Sequence, residues 1–321
     1  MFIVFSEGVY NMDNIVKNGR HAYLIMAHHR PDLLKRLISA LDDKRNDIFL
    51  HIDLKSDMKP KEFKTKNAGI YFVKQMDVHW AGYSQVECEY RLLEAAVNNN
   101  KYDYYHLLTG ASYPLWNQDY LHQFFDDHAG INFVGFDNKN DFSERARYYF
   151  FASEYGKPKG IKGSIVYRTR TLLLAIQKIL KYDRTRKFNN LSIKKGLAYW
   201  SITQEAAEYI LNKETFIKEL LRYSVSGDEI FVQTLLYNSE FRNTIFCSDK
   251  ETSGASRLSA WESSINKERE GYNFIMEDID FILASDCCFA FKFESDDGIK
   301  LMDIIDKERN INYDFQEEYY S

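Results

Sequence analysis

Short apolar runs alternate with stretches of helical period along the first half of the chain. Residues 21–29 (HAYLIMAHH), 47–53 (DIFLHID), 69–74 (GIYFVK), 102–110 (YDYYHLLTG) and 131–136 (INFVGF) have the length and apolar content of buried strands. Between them, Pro31 opens a helix running through DLLKRLISALDD. Ser84 stands as N-cap to the helix that follows it, and QDYLHQFFDDH gives a third. Gly110 ends its strand, and Tyr113-Pro114 reads as a turn. Strands alternating with helices predict an α/β fold, its sheet mixed but mostly parallel with helices on both faces. The second half is more helical, through TQEAAEYILN, KETFIKELLRYS and DDGIKLMDIIDKE. No linker or repeat breaks the pattern. The expectation is an extension over residues 1–20 and one domain over 21–321 with a helical C-terminal part.

In such sheets ligands sit beyond the carboxyl ends of the strands. That directs attention to His28, His29 and Asp53, to the loop from Trp80 to Ser84, and to Thr109 through Ser112. A further stretch, SVSGDEIFVQTLLYNSEF (224–241), sets Asp228 and Glu229 in front of an apolar helical run. Ser226-Gly227-Asp228-Glu229 has the form of a capping box, in which the Glu reaches back to the Ser backbone N–H. Helix-start support and chemistry both remain open for these acids on local pattern alone.

Composition narrows the function classes. The net charge of −5 excludes a globally basic nucleic-acid binder, yet residues 157–187 hold ten Lys or Arg against Asp183 alone. Within them TRTLLLAIQKILKYDRTRK reads as a basic amphipathic helix suited to an anionic membrane surface or a phosphate-rich ligand. An aromatic content of 16% leaves room for sugar-stacking rings as well as core. The four cysteines show no C-x-x-C spacing, no apolar run reaches the roughly 18 residues of a membrane span, and the opening residues lack a signal-peptide layout. Met12 is an alternative start. A cytoplasmic protein is expected, with peripheral contact at the inner membrane face through 157–187.

Several chemistries are missing. No G-x-G-x-x-G follows the first strand, and no P-loop, G-x-S-x-G elbow or H-E-x-x-H occurs. The place where many sugar-nucleotide transferases carry a metal-binding D-x-D reads LLTGASYPL, without an acid. Asp278-Ile279-Asp280 lies in a late helical run, where its acids stand about 200° apart and do not converge. A nucleotide diphosphate would then need protein cations in place of a metal.

HWAGYSQVECEYRLLEAA, YDYYHLLTGASYPL, KKGLAYWSITQEAAEYI, SGDEIFVQTLL and CCFAFKF occur here in order. Together they resemble the core-2/I-branching β-1,6-N-acetylglucosaminyltransferases of bacterial type, which carry W-x-G-x-S, L-S-G-x-D-Y-P-L, K-G-x-x-W, D-E-x-x-x-x-T and F-A-R-K-F. The resemblance runs from about Ala22 to Phe293. It implies a GT-A-like fold, with a donor-side half to about residue 136 and an acceptor half from 137. It also implies an inverting, metal-independent transfer of a sugar, usually N-acetylglucosamine, from a UDP-sugar to an acceptor hydroxyl, with no cofactor.

By the same resemblance Glu229 is the catalytic base, with Asp228 and Ser226 ordering its turn. Lys292 contacts the diphosphate, and Arg257 or Arg269 supplies a second cation. His28, Ala27 and Asp53 fall at the uridine side, and Trp80 and Ser84 near the donor. Ser112 replaces the family's Asp, and Phe291 stands where many relatives have Arg. Tyr199 and Trp200 are placed to stack on the acceptor, and Glu144, Arg145 and Arg147 to hold its hydroxyls. The acceptor implied is a glycan or lipid-linked oligosaccharide. Another donor (UDP-xylose, UDP-glucose or UDP-glucuronate) and a non-catalytic glycan- or nucleotide-binding protein are the alternatives.

Overall fold

The computed structural model describes residues 19–137, 139–155, 160–188, 190–263 and 272–311. β1 (His21–Ala27) leads through α1 (Pro31–Ala40) to β2 (Asn46–Ile52) and β3 (Gly69–Phe72). Next come α2 (Tyr83–Asn99), β4 (Tyr104–Thr109), β5 (Ser112–Pro114) and α3 (Gln118–Asp127), then the single-turn α4 (Glu144–Arg147) and the long α5 (Gly160–Ile179). β6 (Ser201–Thr203), α6 (Gln204–Leu211), α7 (Glu214–Leu221), α8 (Phe231–Tyr237) and α9 (Glu251–Gly254) follow. β7 (Arg257–Ser259), α10 (Ile279–Leu283), β8 (Phe289–Phe291) and α11 (Gly298–Arg309) complete the order.

The main sheet runs β3-β2-β1-β4-β6, parallel throughout except for antiparallel β6, and a second sheet runs β5-β8-β7. Because strand side chains alternate, β1 feeds two cores. Tyr23 and Ile25 pack with Leu33, Leu37 and Phe125 of α1 and α3, whereas Ala22 and Leu24 pack with Leu92, Ile210 and Phe231 of α2, α6 and α8. Helices therefore cover both faces, as an α/β sheet with strands buried on each side requires.

Local departures have local causes. Residues 131–136 do not form a strand. Asn132 and Phe133 make isolated bridges to Ile245 and Ser201, and the Asn132 side chain bonds Thr203 and Thr244. The expected Tyr113-Pro114 turn is instead β5, paired antiparallel with β8 through Ser112 and Phe291. Gly82, not Ser84, caps α2, so Ser84 sits inside the first turn.

The basic helix begins earlier than expected, and α5 turns its apolar stripe outward. Ile165, Leu172, Ile176 and Ile179 are 59%, 61%, 43% and 79% exposed, while Gln177 and Arg170 point inward to backbone groups of Tyr149, Phe151 and Ala152. Among the described residues no helix is long and apolar enough to cross a membrane. The four cysteines are free thiols, Cys88 and Cys288 buried and Cys247 exposed.

Candidate active site

Gly227–Glu229 is a 3-10 turn, and Ser226 before it is left-handed at φ 50°. That geometry breaks the capping box. The Ser226 N–H donates to the Ala81 carbonyl at 2.9 Å, its side chain caps nothing, and the Glu229 carboxylate turns away from it. Glu229 Oε2 instead accepts from Arg145 Nη1 at 2.5 Å, and Lys195 Nζ stands 3.8 Å from the same oxygen. Among the described residues Oε1 has no partner, and the side chain is one-third exposed.

The KGLAYW segment (195–200) carries Lys195 to this place. Gly196 N–H donates to the Glu229 carbonyl at 2.8 Å, while Thr234 Oγ1 exchanges hydrogen bonds with the Lys194 backbone at 3.0 and 3.1 Å. A Cβ on Gly196 would overlap the Gly135 carbonyl oxygen, so this close approach admits no side chain. Lys195 also bridges to Glu251 at 3.1 Å, whose carboxyl burial pushes up. Lys195 and Glu251 are site residues that sequence reasoning missed. The Lys lies within the KKGLAYW stretch, and Glu251 lies in no motif.

Behind Glu229, Asp228 is buried and accepts from Gln85 Nε2 at 3.3 Å through one oxygen, the other having no partner. Burial first, and then the neighbouring Glu229, raise it to about 7. The fully buried Glu89 of α2 is pushed well up by burial and then by Asp228. Its Oε2 and the Trp200 indole N–H also lack good hydrogen-bond partners. Trp200 is 0% exposed, its carbonyl taking the Leu107 N–H and the Arg257 guanidinium. A ring closed off in this way cannot stack on an acceptor, which corrects that expectation.

Of the three expected acceptor contacts, α4 sends only Arg145 to Glu229. Glu144 pairs with Lys178 at 2.7 Å and Arg147 with Asp183 at 3.4 Å, both on the α5 side.

The donor-side candidates gather at the carboxyl ends of β1, β2 and β8. Asp53 N–H donates to the Ala27 carbonyl at 2.8 Å, and its carboxylate holds Val78 N–H and Lys55. The charges of Asp53, Glu294 and Lys292 all act on His28, whose ring lies 4.1 Å from that of His29. His29 and Lys292 flank Glu294 at 3.4 and 3.9 Å, and Lys292 is 40% exposed. Trp80 stands 64% exposed on the neighbouring loop.

Two expected donor contacts are spent internally. The Ser84 hydroxyl accepts from His79 N–H and donates to Glu154 at 2.6 Å, and the Ser112 hydroxyl accepts from Thr109 N–H at 3.1 Å. Arg257 is 1% exposed, 4.4 Å from the Phe289 ring centre, and donates to the Trp200 and Ala255 carbonyls and to Ser201 Oγ. Burial lowers it to about 10. It ties β7 to the main sheet and faces no cleft, which corrects its expected diphosphate role. Arg269 lies outside the described residues.

Tyr199 joins the two halves. Its ring meets Phe291 edge-on at 4.8 Å, next to Lys292, while the charges of Asp228, Glu89 and Glu294 all act on its hydroxyl. Phe291 continues to Trp261 at 5.4 Å. Tyr199, Phe291 and Trp261 thus form an aromatic wall beside Lys292. Asp278 is buried and spends its oxygens on Ser263 Oγ and Ile275 N–H, whereas Asp280 is exposed, so this pair does not converge.

Among solved structures, S. aureus TarS is 10% identical, with a match covering 34% of this chain and 20% of that one at a TM-score of 0.24. The chain thus spans one fifth of TarS. Apo mouse xyloside xylosyltransferase 1 is 12% identical over 84% of this chain and 96% of that one, at a TM-score of 0.35. Neither likeness is close enough to bear on the site. No curated protein matches. The family model of the Core-2/I-Branching enzyme, by contrast, matches residues 21–280, the stretch that holds Glu229, Arg145 and Lys195, and the chain is a glycosyltransferase belonging to that family.

Proposed function

We propose that this enzyme moves a sugar, N-acetylglucosamine in the first instance, from a UDP-sugar to a glycan hydroxyl with inversion and without a metal. The observation that carries the reading is the Glu229 carboxylate. Arg145 and Lys195 fix Oε2 and leave Oε1 open to an acceptor. The acceptor hydroxyl gives its proton to Oε1 as its oxygen bonds to the anomeric carbon. The bond from that carbon to the diphosphate breaks on the opposite face, and the electron pair leaves with UDP. Lys292 offsets the growing negative charge.

The acceptor in this reading is a glycan carried on lipid. Support comes from α5 and the turn after it, where Arg168, Lys181 and Arg186 accompany the outward apolar stripe. That combination suits an anionic membrane surface. The direct test is saturation-transfer NMR against a panel of UDP-sugars with EDTA present throughout. Binding of UDP-N-acetylglucosamine under these conditions is expected. Binding that appears only after a divalent metal is added overturns the cationic diphosphate site.

A further inference from the structure

A cavity of about 740 Å³, whose lining does not include Glu229, lies between the outer face of α7, the turn after α5 and the chain leaving α4. Its floor is Tyr149, whose ring lies 5.7 Å from Tyr182 and meets Tyr223 edge-on at 5.2 Å. Tyr182 and Tyr223 are 42% and 39% exposed, so their rings remain open to a ligand. Arg184 beneath them is no anion site, because its donors go to the Tyr148, Glu219 and Leu220 carbonyls and close the end of α7. On the rim Lys187 pairs with Glu219 at 2.7 Å.

Aromatic walls with a rim of three carboxylates and three exposed cations, Asp183, Glu214 and Glu219 beside Lys187, Lys218 and Arg222, match the chemistry of a saccharide. The C–H faces of pyranose rings pack on the tyrosines, and hydroxyls bond both carboxylate and ammonium. Of the lining cations, Arg184 and Lys187 are already occupied, and Lys218 and Arg222 stand among the carboxylates of Asp183, Glu214 and Glu219.

The cavity is tied to the catalytic turn through α4. Arg145 holds Glu229, Arg147 two residues on pairs with Asp183 at the cavity wall, and Tyr149 two further on is the floor. Four residues of chain span roughly 6–13 Å between helical and extended limits. An oligosaccharide bridges that gap and a monosaccharide does not. We infer that the Tyr149–Tyr182–Tyr223 cavity is a distal acceptor subsite, which binds sugars of an extended acceptor beyond the unit that reacts at Glu229. The inference rests on the transferase reading for its purpose, but sugar binding there is measurable without turnover.

The experiment is saturation-transfer NMR with no donor present, using chitotetraose, cellotetraose and maltotetraose as probes. Wild type and Glu229→Gln should transfer saturation to at least one tetrasaccharide. Tyr182→Ala/Tyr223→Ala should reduce that transfer at least fivefold. Tyr182→Leu/Tyr223→Leu keeps apolar bulk while removing the flat faces, and should do the same if the alanine pair fails to fold. Undiminished transfer in a folded double variant overturns the subsite, as does absence of transfer from wild type to every probe. Loss of UDP release in Glu229→Gln is read separately and bears only on the catalytic assignment.

Discussion

Arg145 donates to the Glu229 carboxylate at 2.5 Å from a one-turn helix 84 residues earlier in the chain. The contact fixes one carboxylate oxygen and leaves the other without a partner among the described residues. The same short helix buries Ala146 in the core and sends Glu144 and Arg147 into ion pairs toward α5.

Replacing Glu229 by Gln keeps the shape and removes the proton acceptor. Turnover measured as UDP release with acceptor present should fall 10²–10⁴-fold, while UDP binding stays close to wild type. Arg145→Ala removes a charge-assisted bond worth about 1.5–3 kcal/mol, so kcat/KM should drop roughly 10- to 150-fold, with partial rescue in Arg145→Lys. If Glu229→Gln turns over normally, the base assignment is wrong.

Asp228 makes a prediction about pH and stability. Burial holds it at about 7 in the folded protein against 3.8 in the unfolded chain, so the folded state keeps a proton that the unfolded state releases between those values. Stability from this group is therefore present at low pH, is lost as pH rises toward 7 and changes no further above it. Asp228→Asn carries no such charge. Its stability relative to wild type should rise by about 2–4 kcal/mol between pH 4 and pH 7 and then level off, as read by urea unfolding. A difference independent of pH would show that Asp228 ionises without hindrance.

The resemblance pairs Lys292 with Arg257 or Arg269 as the cations of one site, and the structure buries Arg257 while Lys292 stands 40% exposed. Lys292→Met should raise the donor KM about tenfold or more and leave the melting temperature nearly unchanged. Arg257→Met leaves buried carbonyls of Trp200 and Ala255 without their donor, and should cost about 2–4 kcal/mol of stability. Calorimetry beside donor titration distinguishes the two effects. Loss of donor affinity in a fully stable Arg257→Met would return that residue to the diphosphate.

Where one chain segment decides its own structure, the sequence was readable. Pro31 opens α1, and Thr203 caps α6 through Ala206 N–H. The runs ending at Ala27, Ile52 and Thr109 became the central strands. What failed depended on partners remote in sequence. The S-x-x-E pattern looked like a capping box, but Ala81 claims the Ser226 N–H and Arg145 claims the Glu229 side chain. Trp200 and Arg257 sat at motif positions that read as ligand contacts, and both are consumed by the joint between the two sheets. Lys195 was in view within its motif. Its role depends on the fit of Gly196 under the Gly135 carbonyl, which no local pattern encodes.

The outward stripe of α5 makes the last prediction. An ordinary surface helix buries its apolar face, yet here Leu172 and Ile179 face solvent and Gln177 faces the body of the protein. Exposed side chains of this size gain about 1.5–3 kcal/mol each when buried in an apolar layer. Each Lys or Arg close to an anionic surface adds about 1 kcal/mol. Sedimentation with vesicles containing phosphatidylglycerol should therefore bring down the wild-type protein, and neutral phosphatidylcholine vesicles should bring down much less. Leu172→Asp/Ile179→Asp should abolish binding to both kinds of vesicle. Arg168→Glu/Lys181→Glu/Arg186→Glu should weaken binding to the anionic vesicles by two orders of magnitude or more, and added salt should do the same to wild type. Unchanged sedimentation in both the stripe variant and the charge reversal would leave α5 without a membrane role and the acceptor without a reason to be lipid-borne.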